Sequence, residues 1–153
     1  MKPLLLNSFA EGQWVTPHTG LVDIRSAVSG DVFAQSSSAG LNFKAMLDFA
    51  RNTGGPNLRR LTFHERATIL KQLALALSEK KKELYDLNYE TGATKGDGWI
   101  DIDGGIGTLF VYASKGKREL PVATHYLDGD LEALSRHGTF QGRHILTSLQ
   151  GAA

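Results

Sequence analysis

The chain has no cysteine and only four prolines in 153 residues. Without a thiol it has no disulfide, no thiolate metal ligand and no cysteine nucleophile. Cysteine-free composition fits the cytoplasm. Charge of one sign is also scarce: 17 Lys and Arg face 16 Asp and Glu, a formal net charge of +1. Such a balance offers no electrostatic basis for a nucleic-acid or anionic-membrane partner. Long hydrophobic runs are missing too. Leu4-Leu5-Leu6 is shorter than the roughly 7–15 apolar residues of a secretory signal, and no stretch approaches the roughly 20 residues of a membrane span. These shortages lead to the expectation of a soluble cytoplasmic protein, either one domain or an incomplete piece of a larger one.

What is present is an ordinary hydrophobic fraction of 41%, enough for a core. The pattern divides the chain into three stretches: 1–38 as β-hairpins, 39–118 as helices and 119–153 as strands. In the first, Leu4-Leu5-Leu6, Gln13-Trp14-Val15, Leu21-Val22-Asp23-Ile24 and Val32-Phe33-Ala34 are short apolar or alternating runs. Gly12, Gly20 and Ser29-Gly30-Asp31 punctuate them as turns. Ser36-Ser37-Ser38 reads as a polar connection before a capped helix.

The middle stretch is helical. Phe43, Met46, Leu47 and Ala50 recur at helical spacing, and Gly54-Gly55-Pro56 is the expected stop. Thr62 and Glu65 form a capping box ahead of Phe63, Ala67, Leu70, Ala74 and Leu77, whose steps of four and three predict one buried face. Lys80-Lys81-Lys82 is expected on a solvated face. Leu84, Leu87 and Thr91 carry the pattern to Gly92, a natural C-terminal stop. A third helix is expected over residues 98–115, with Trp99, Ile102, Ile106, Leu109, Phe110 and Ala113 on one stripe. Gly104, Gly105 and Gly107 cost this helix about 1 kcal/mol each against Ala, a cost that close approach of a neighbouring element would justify. After Pro121, residues 132–135 and 143–148 read as strands separated by Gly138 and Gly142.

Motifs that invite a chemical reading have plainer ones. Gly105-Ile106-Gly107 lacks a preceding strand and has Phe110 where a dinucleotide loop needs its third glycine. Asp101-Ile102-Asp103-Gly104 would put Trp99 and Phe110 at calcium-ligand positions that require carboxylates. The two aspartates are expected instead to complement the positive end of a helix. The histidines, at 18, 64, 125, 137 and 144, have no zinc-site spacing. Neither Ser29-Gly30 nor Ser114-Lys115-Gly116 makes a glycine-flanked nucleophile.

A family resemblance carries further. Residues 91–95, Asp101-Ile102-Asp103-Gly104-Gly105-Ile106-Gly107-Thr108-Leu109-Phe110, Tyr112-Ala113-Ser114 and Arg118-Glu119-Leu120-Pro121 resemble the aldehyde dehydrogenase superfamily. The similarity is to its bifunctional ring-opening branch of phenylacetate degradation, which joins a dehydrogenase domain to a C-terminal hydratase-like domain (an oxepin-CoA hydrolase). Ser38-Ala39-Gly40-Leu41, residues 61–67 and residues 143–148 fit the same pattern. Gly12-Gln13-Trp14-Val15 and Ser29-Gly30-Asp31-Val32 resemble the opening hairpins of aldehyde dehydrogenases in general.

The resemblance implies an α/β fold. This chain would supply the opening hairpins, amphipathic helices and first strands of an oligomerisation flap, leaving the Rossmann-like core incomplete. It implies a parent using NAD or NADP to oxidise a CoA-linked semialdehyde to the acid. In that family a cysteine thiolate attacks the aldehyde, hydride passes to the nicotinamide, and a glutamate activates the hydrolytic water. An Asn-Phe-Pro loop contributes to the oxyanion site. None of these groups maps onto this chain, whose prolines are at 3, 17, 56 and 121. No residue is therefore assigned a catalytic, cofactor-binding or metal-binding role. Glu90 resembles an acidic position beside a monovalent-cation site in some members, but reads here as a helix-surface carboxylate. The expectation is an N-terminal fragment, inactive by itself and prone to self-association. The alternative is a free-standing, non-catalytic interaction module of the same descent. A small enzyme with its own site is a third reading, which the absent cysteine and Asn-Phe-Pro loop disfavour.

Overall fold

A computed structural model describes residues 3–147. The first five strands are β1 (Leu4–Leu5), β2 (Ser8–Ala10), β3 (Gln13–Val15), β4 (Val22–Arg25) and β5 (Val32–Ser36). β2 and β3 form a hairpin whose tight turn places Glu11 and Gly12 in the left-handed region, at φ 52° and 82°. Phe9 and Trp14 face each other across it edge to face, 5.1 Å between ring centres. β4 and β5 form the second hairpin. β1 departs from the expected hairpins: it runs parallel to β5, completing a three-stranded sheet ordered β1-β5-β4. Ser36 belongs to β5 rather than to the polar connection. β2 is not expected from the sequence: Ser8-Phe9-Ala10 has a single large apolar residue and no β-branched one.

Helix α1 (Phe43–Phe49) begins at Asn42, whose side chain accepts the Ala45 N–H at 3.0 Å. The expected stop at Gly54-Gly55-Pro56 is not one. The helix widens into a π turn over Ala50–Gly54 and continues as α2 (Gly55–Arg60). Proline is tolerated there because its missing N–H falls in the first turn of α2, where the widened ladder asks for no donor.

Helix α3 (Phe63–Glu79) starts at the predicted capping box: Thr62 Oγ1 accepts the Glu65 N–H at 3.2 Å, and the Glu65 carboxylate accepts the Thr62 N–H at 2.7 Å. Helix α4 (Lys81–Glu90) follows a break at Lys80 and ends as predicted, with Gly92 at φ 79°. The third helical stretch starts earlier and ends later than expected. It comprises α5 (Lys95–Gly98), a second π turn (Trp99–Gly104) and α6 (Gly105–Glu119). Its cap is again Thr94 with Asp97, so neither Asp101 nor Asp103 performs the helix-end role expected of them. Strands β6 (His125–Ala133) and β7 (Gln141–Thr147) form a long antiparallel hairpin with an irregular register between Asp128 and Glu132. The hairpin begins well before residue 132, and Gly142 lies inside β7 rather than between strands. Ser148 and the closing Gly151-Ala152-Ala153 lie outside the described residues.

Among the described residues, the buried apolar side chains are alanines apart from Ile106. Ala67 and Ala74 of α3, Ile106 and Ala113 of α6, and Ala10 and Ala34 of the sheets are buried. Ala67, Ala74, Ile106 and Ala113 belong to the predicted stripes, so the helical periodicity correctly names the face on which α3 and α6 meet. Trp99 does not obey it and is 63% exposed. The π turn explains this: one extra residue per turn rotates what precedes it by about 100° relative to α6.

The glycines that permit close approach are also not those expected. A Cβ on Gly104, Gly105 or Gly107 would meet open space. One on Gly116 would lie 3.2 Å from the Ala67 Cβ, and one on Gly98 would press on Asn88 and Tyr85 of α4.

Candidate functional site

The antiparallel pair α3–α6 leaves an open groove on each side of its contact line. One, of about 620 Å³, is lined by Ala67, Phe110, Ala113, Ser114 and three cations, Lys71, Lys117 and Arg118. The other, of about 380 Å³, is mainly apolar, with Phe63, Leu70, Tyr112, Gly116 and Leu120. The pair is tied at one end by His64, whose Nε2 lies 2.9 Å from the Leu120 carbonyl oxygen, and by the Phe63 N–H donating to the Ala123 carbonyl at 2.9 Å. His64 therefore has a structural role, joining the start of α3 to the end of α6. Arg66 lies over the Phe63 ring, 5.7 Å from its centre, and donates to the Leu61 carbonyl at 3.0 Å.

A second constellation joins α4 to the π turn at Trp99–Gly104. Lys81 and Tyr85 are four residues apart on one helix face and converge on Asp103. Lys81 Nζ pairs with Oδ1, and the Tyr85 hydroxyl donates to Oδ2 at 2.6 Å. These bonds, Lys81 first and Tyr85 second, hold the Asp103 carboxyl below its usual range, while the bond to Asp103 raises the Tyr85 phenol. This corrects the expectation that residues 80–82 form a wholly solvated run. Lys80 and Lys82 do pair with exposed Glu83 and Asp86, but Lys81 is turned onto Asp103. The spacing of Lys81 and Tyr85 was legible in the sequence; their partner was not, because the π turn sets where Asp103 points.

The turn between β4 and β5 docks on the end of α4. Buried Ser26 accepts the N–H groups of Val28 and Ser29 at 3.2 Å each, and the Ala27 N–H donates to the Glu90 carbonyl at 2.8 Å. Glu90 thus contributes a main-chain acceptor to a structural contact. Among the described residues no group of three or more histidines and carboxylates is placed to hold a metal ion, and no helix is long and apolar enough to cross a membrane.

These features are two open grooves, one cationic and one mainly apolar, and an exposed hairpin, and similarity to known proteins gives them a context. Residues 14–137 match the aldehyde dehydrogenase family. The chain is 36% identical over 149 residues to a 3,4-dehydroadipyl-CoA semialdehyde dehydrogenase of Aromatoleum evansii. That alignment covers 97% of this chain but 29% of the relative, so the chain spans less than a third of that enzyme's length. Because the family match extends over most of its length, this chain belongs to the aldehyde dehydrogenase family.

Proposed function

We propose that the chain provides the N-terminal portion of an NAD(P)-dependent dehydrogenase that oxidises a CoA-linked semialdehyde to the acid in aromatic-acid degradation. The observation that carries this is the alignment: nearly all of this chain corresponds to less than a third of a CoA-semialdehyde dehydrogenase. Three further features support it. The chain holds no cysteine to act as the family's nucleophile, so its part in the reaction is scaffolding. Both flanks of the α3–α6 contact are open grooves, one mainly apolar and one rimmed by Lys71, Lys117 and Arg118, which is how a helix pair looks when another layer completes it. Along the hairpin β6–β7, Leu131, Ile145 and Leu146 are exposed, as suits strands that meet a further partner.

In this reading the nicotinamide-binding sheet, the nucleophile and the base belong to other sequence, and the Rossmann-like core is incomplete here. The cofactor supplies hydride acceptance when bound. This chain's residues contribute packing: Ala67, Ala113 and Gly116 fix the spacing of the helix pair, and Thr62 and Thr94 start its helices. The open grooves also favour self-association over a closed, free-standing module, because unmet apolar faces are covered by whatever like surface is available. The test mixes the purified chain with the separately produced remainder of the Aromatoleum evansii relative, a CoA-linked semialdehyde and NAD or NADP. Neither part alone should reduce the nicotinamide, and the mixture should. Turnover by the chain alone, or none by any combination that forms a complex, would overturn the proposal.

A further inference from the structure

The sequence and the structure disagree about Trp99, and the disagreement has a local cause. Helical spacing places Trp99 on one stripe with Ile102 and Ile106, yet it is exposed, as is Ile100. Both belong to the π turn Trp99–Gly104, which interrupts the α ladder ahead of α6. A π turn is rare and forfeits regular packing, so something must hold it. Tyr85 is placed to do so. Its ring lies against buried Gly98, where an added Cβ would come within 3.3 Å of Cε1. Its hydroxyl reaches Asp103 at 2.6 Å. Gly98 and Asp103 are five residues apart, the length of one π hydrogen-bonded turn. One rigid side chain therefore spans the turn from end to end, and Lys81 secures the same carboxylate from the turn of α4 before it.

We propose that Lys81, Tyr85 and Asp103 form a register lock, holding residues 99–104 in the π form with Trp99 outside, and that releasing the lock lets the segment pass to an α register that buries Trp99 beside Ile102 and Ile106. The slip is one residue. The loop before α5 can absorb it, because Gly92 lies in the left-handed region at φ 79°, and within α5 a Cβ on Gly96 would meet only the Thr94 hydroxyl. The apolar pattern favours the α register, and the two polar contacts to Asp103 favour the π register. The segment is then a two-state element, and any surface that engages Trp99 and Ile100 selects the π state by differential contact.

Trp99 is the reporter. In a Trp14→Phe background it is the sole tryptophan. Tyr85→Phe and Asp103→Asn should each blue-shift its emission and reduce its quenching by acrylamide, with the α-to-π ratio rising roughly tenfold or more for loss of a hydrogen bond to a charged acceptor. Lys81→Met keeps the phenol bond and should give a smaller change in the same direction. Amide exchange at Gly105 and Ile106 should change with it, while Ala67 and Ala74 in α3 stay protected. Unchanged Trp99 accessibility in Tyr85→Phe, with the helical circular dichroism retained, would overturn the lock. Should Asp103→Asn unfold the chain, Lys81→Met decides by itself: unaltered quenching together with unaltered exchange at residues 105 and 106 overturns it.

Discussion

Gly116 of α6 faces Ala67 of α3 so closely that a Cβ added to the glycine would lie 3.2 Å from the alanine Cβ. Ala67 is buried and lines both grooves, so this close contact divides them. A branched side chain at 116 has to force the helices apart. Gly116→Val should cost about 1–3 kcal/mol by overpacking. Denaturant unfolding reads this, and a variant as stable as the parent would show that the contact yields. Gly107→Ala is the counterpart: its Cβ would enter open space in the same helix, and the variant should gain up to about 1 kcal/mol.

The cap of α3 offers an independent check on local structure. Thr62→Ala removes the acceptor for the Glu65 N–H and loosens the reciprocal bond from the Thr62 N–H to the Glu65 carboxylate. Stability should fall by about 1 kcal/mol, with the loss concentrated in the first turn of α3. Amide exchange at residues 65 and 66 locates it. Equal acceleration throughout the chain would mean that the cap is not a local element.

Acid should weaken the fold in a defined direction. The Thr62 main-chain N–H, and then its hydroxyl, hold Glu65 below the usual carboxylate range. The Thr94 hydroxyl and then its N–H do the same for Asp97. Lys81 and then Tyr85 do so for Asp103. A carboxyl whose folded value lies below its unfolded value contributes stability that is complete above the ordinary range and lost as pH falls through the folded value. The thermal midpoint should therefore be level from about pH 7 to about pH 5 and decline below about pH 4. Glu65 and Asp97 are exposed and Asp103 is partly so, and all three are water-screened, so the decline should be gradual. Thr62→Ala combined with Thr94→Ala should flatten it; an unchanged slope would assign the acid sensitivity elsewhere.

Much of this architecture was legible in the residues. Thr62 and Glu65 announced α3, Ala67, Ala74, Ile106 and Ala113 marked the buried faces, and Gly92 closed α4. The illegible parts share a cause. Both π turns add a residue to the helical period, so Gly54-Gly55-Pro56 looked like a stop and Trp99 looked buried. The close-approach glycines were misplaced for a related reason: which glycine meets a neighbour depends on packing between distant segments, and Gly116 opposite Ala67 has no local signature. The parallel pairing of β1 with β5 is likewise set by residues some thirty positions apart. The grooves of the candidate site were legible only as helix faces, because their linings combine residues of α3 and α6 that lie some forty positions apart.

The exposed hairpin β6–β7 and the two grooves predict association. Sedimentation velocity across a wide concentration range should show dimers or larger species growing with concentration, as mass action requires. Lys substitutions at Leu131 and Ile145, both exposed on the hairpin, should suppress it by charging an open strand surface. A strictly monomeric chain throughout would favour a module that closes its own core.

The most direct test of the central claim is turnover by a single fused chain. The present sequence is joined in frame to the part of the Aromatoleum evansii relative that follows the aligned 149 residues, and assayed with a CoA-linked semialdehyde and NAD or NADP. The account predicts reduction of the nicotinamide by the fusion, lost when Gly116→Val separates α3 from α6, and none by the isolated chain. A folded fusion that reduces no nicotinamide, or an isolated chain that does, would contradict it.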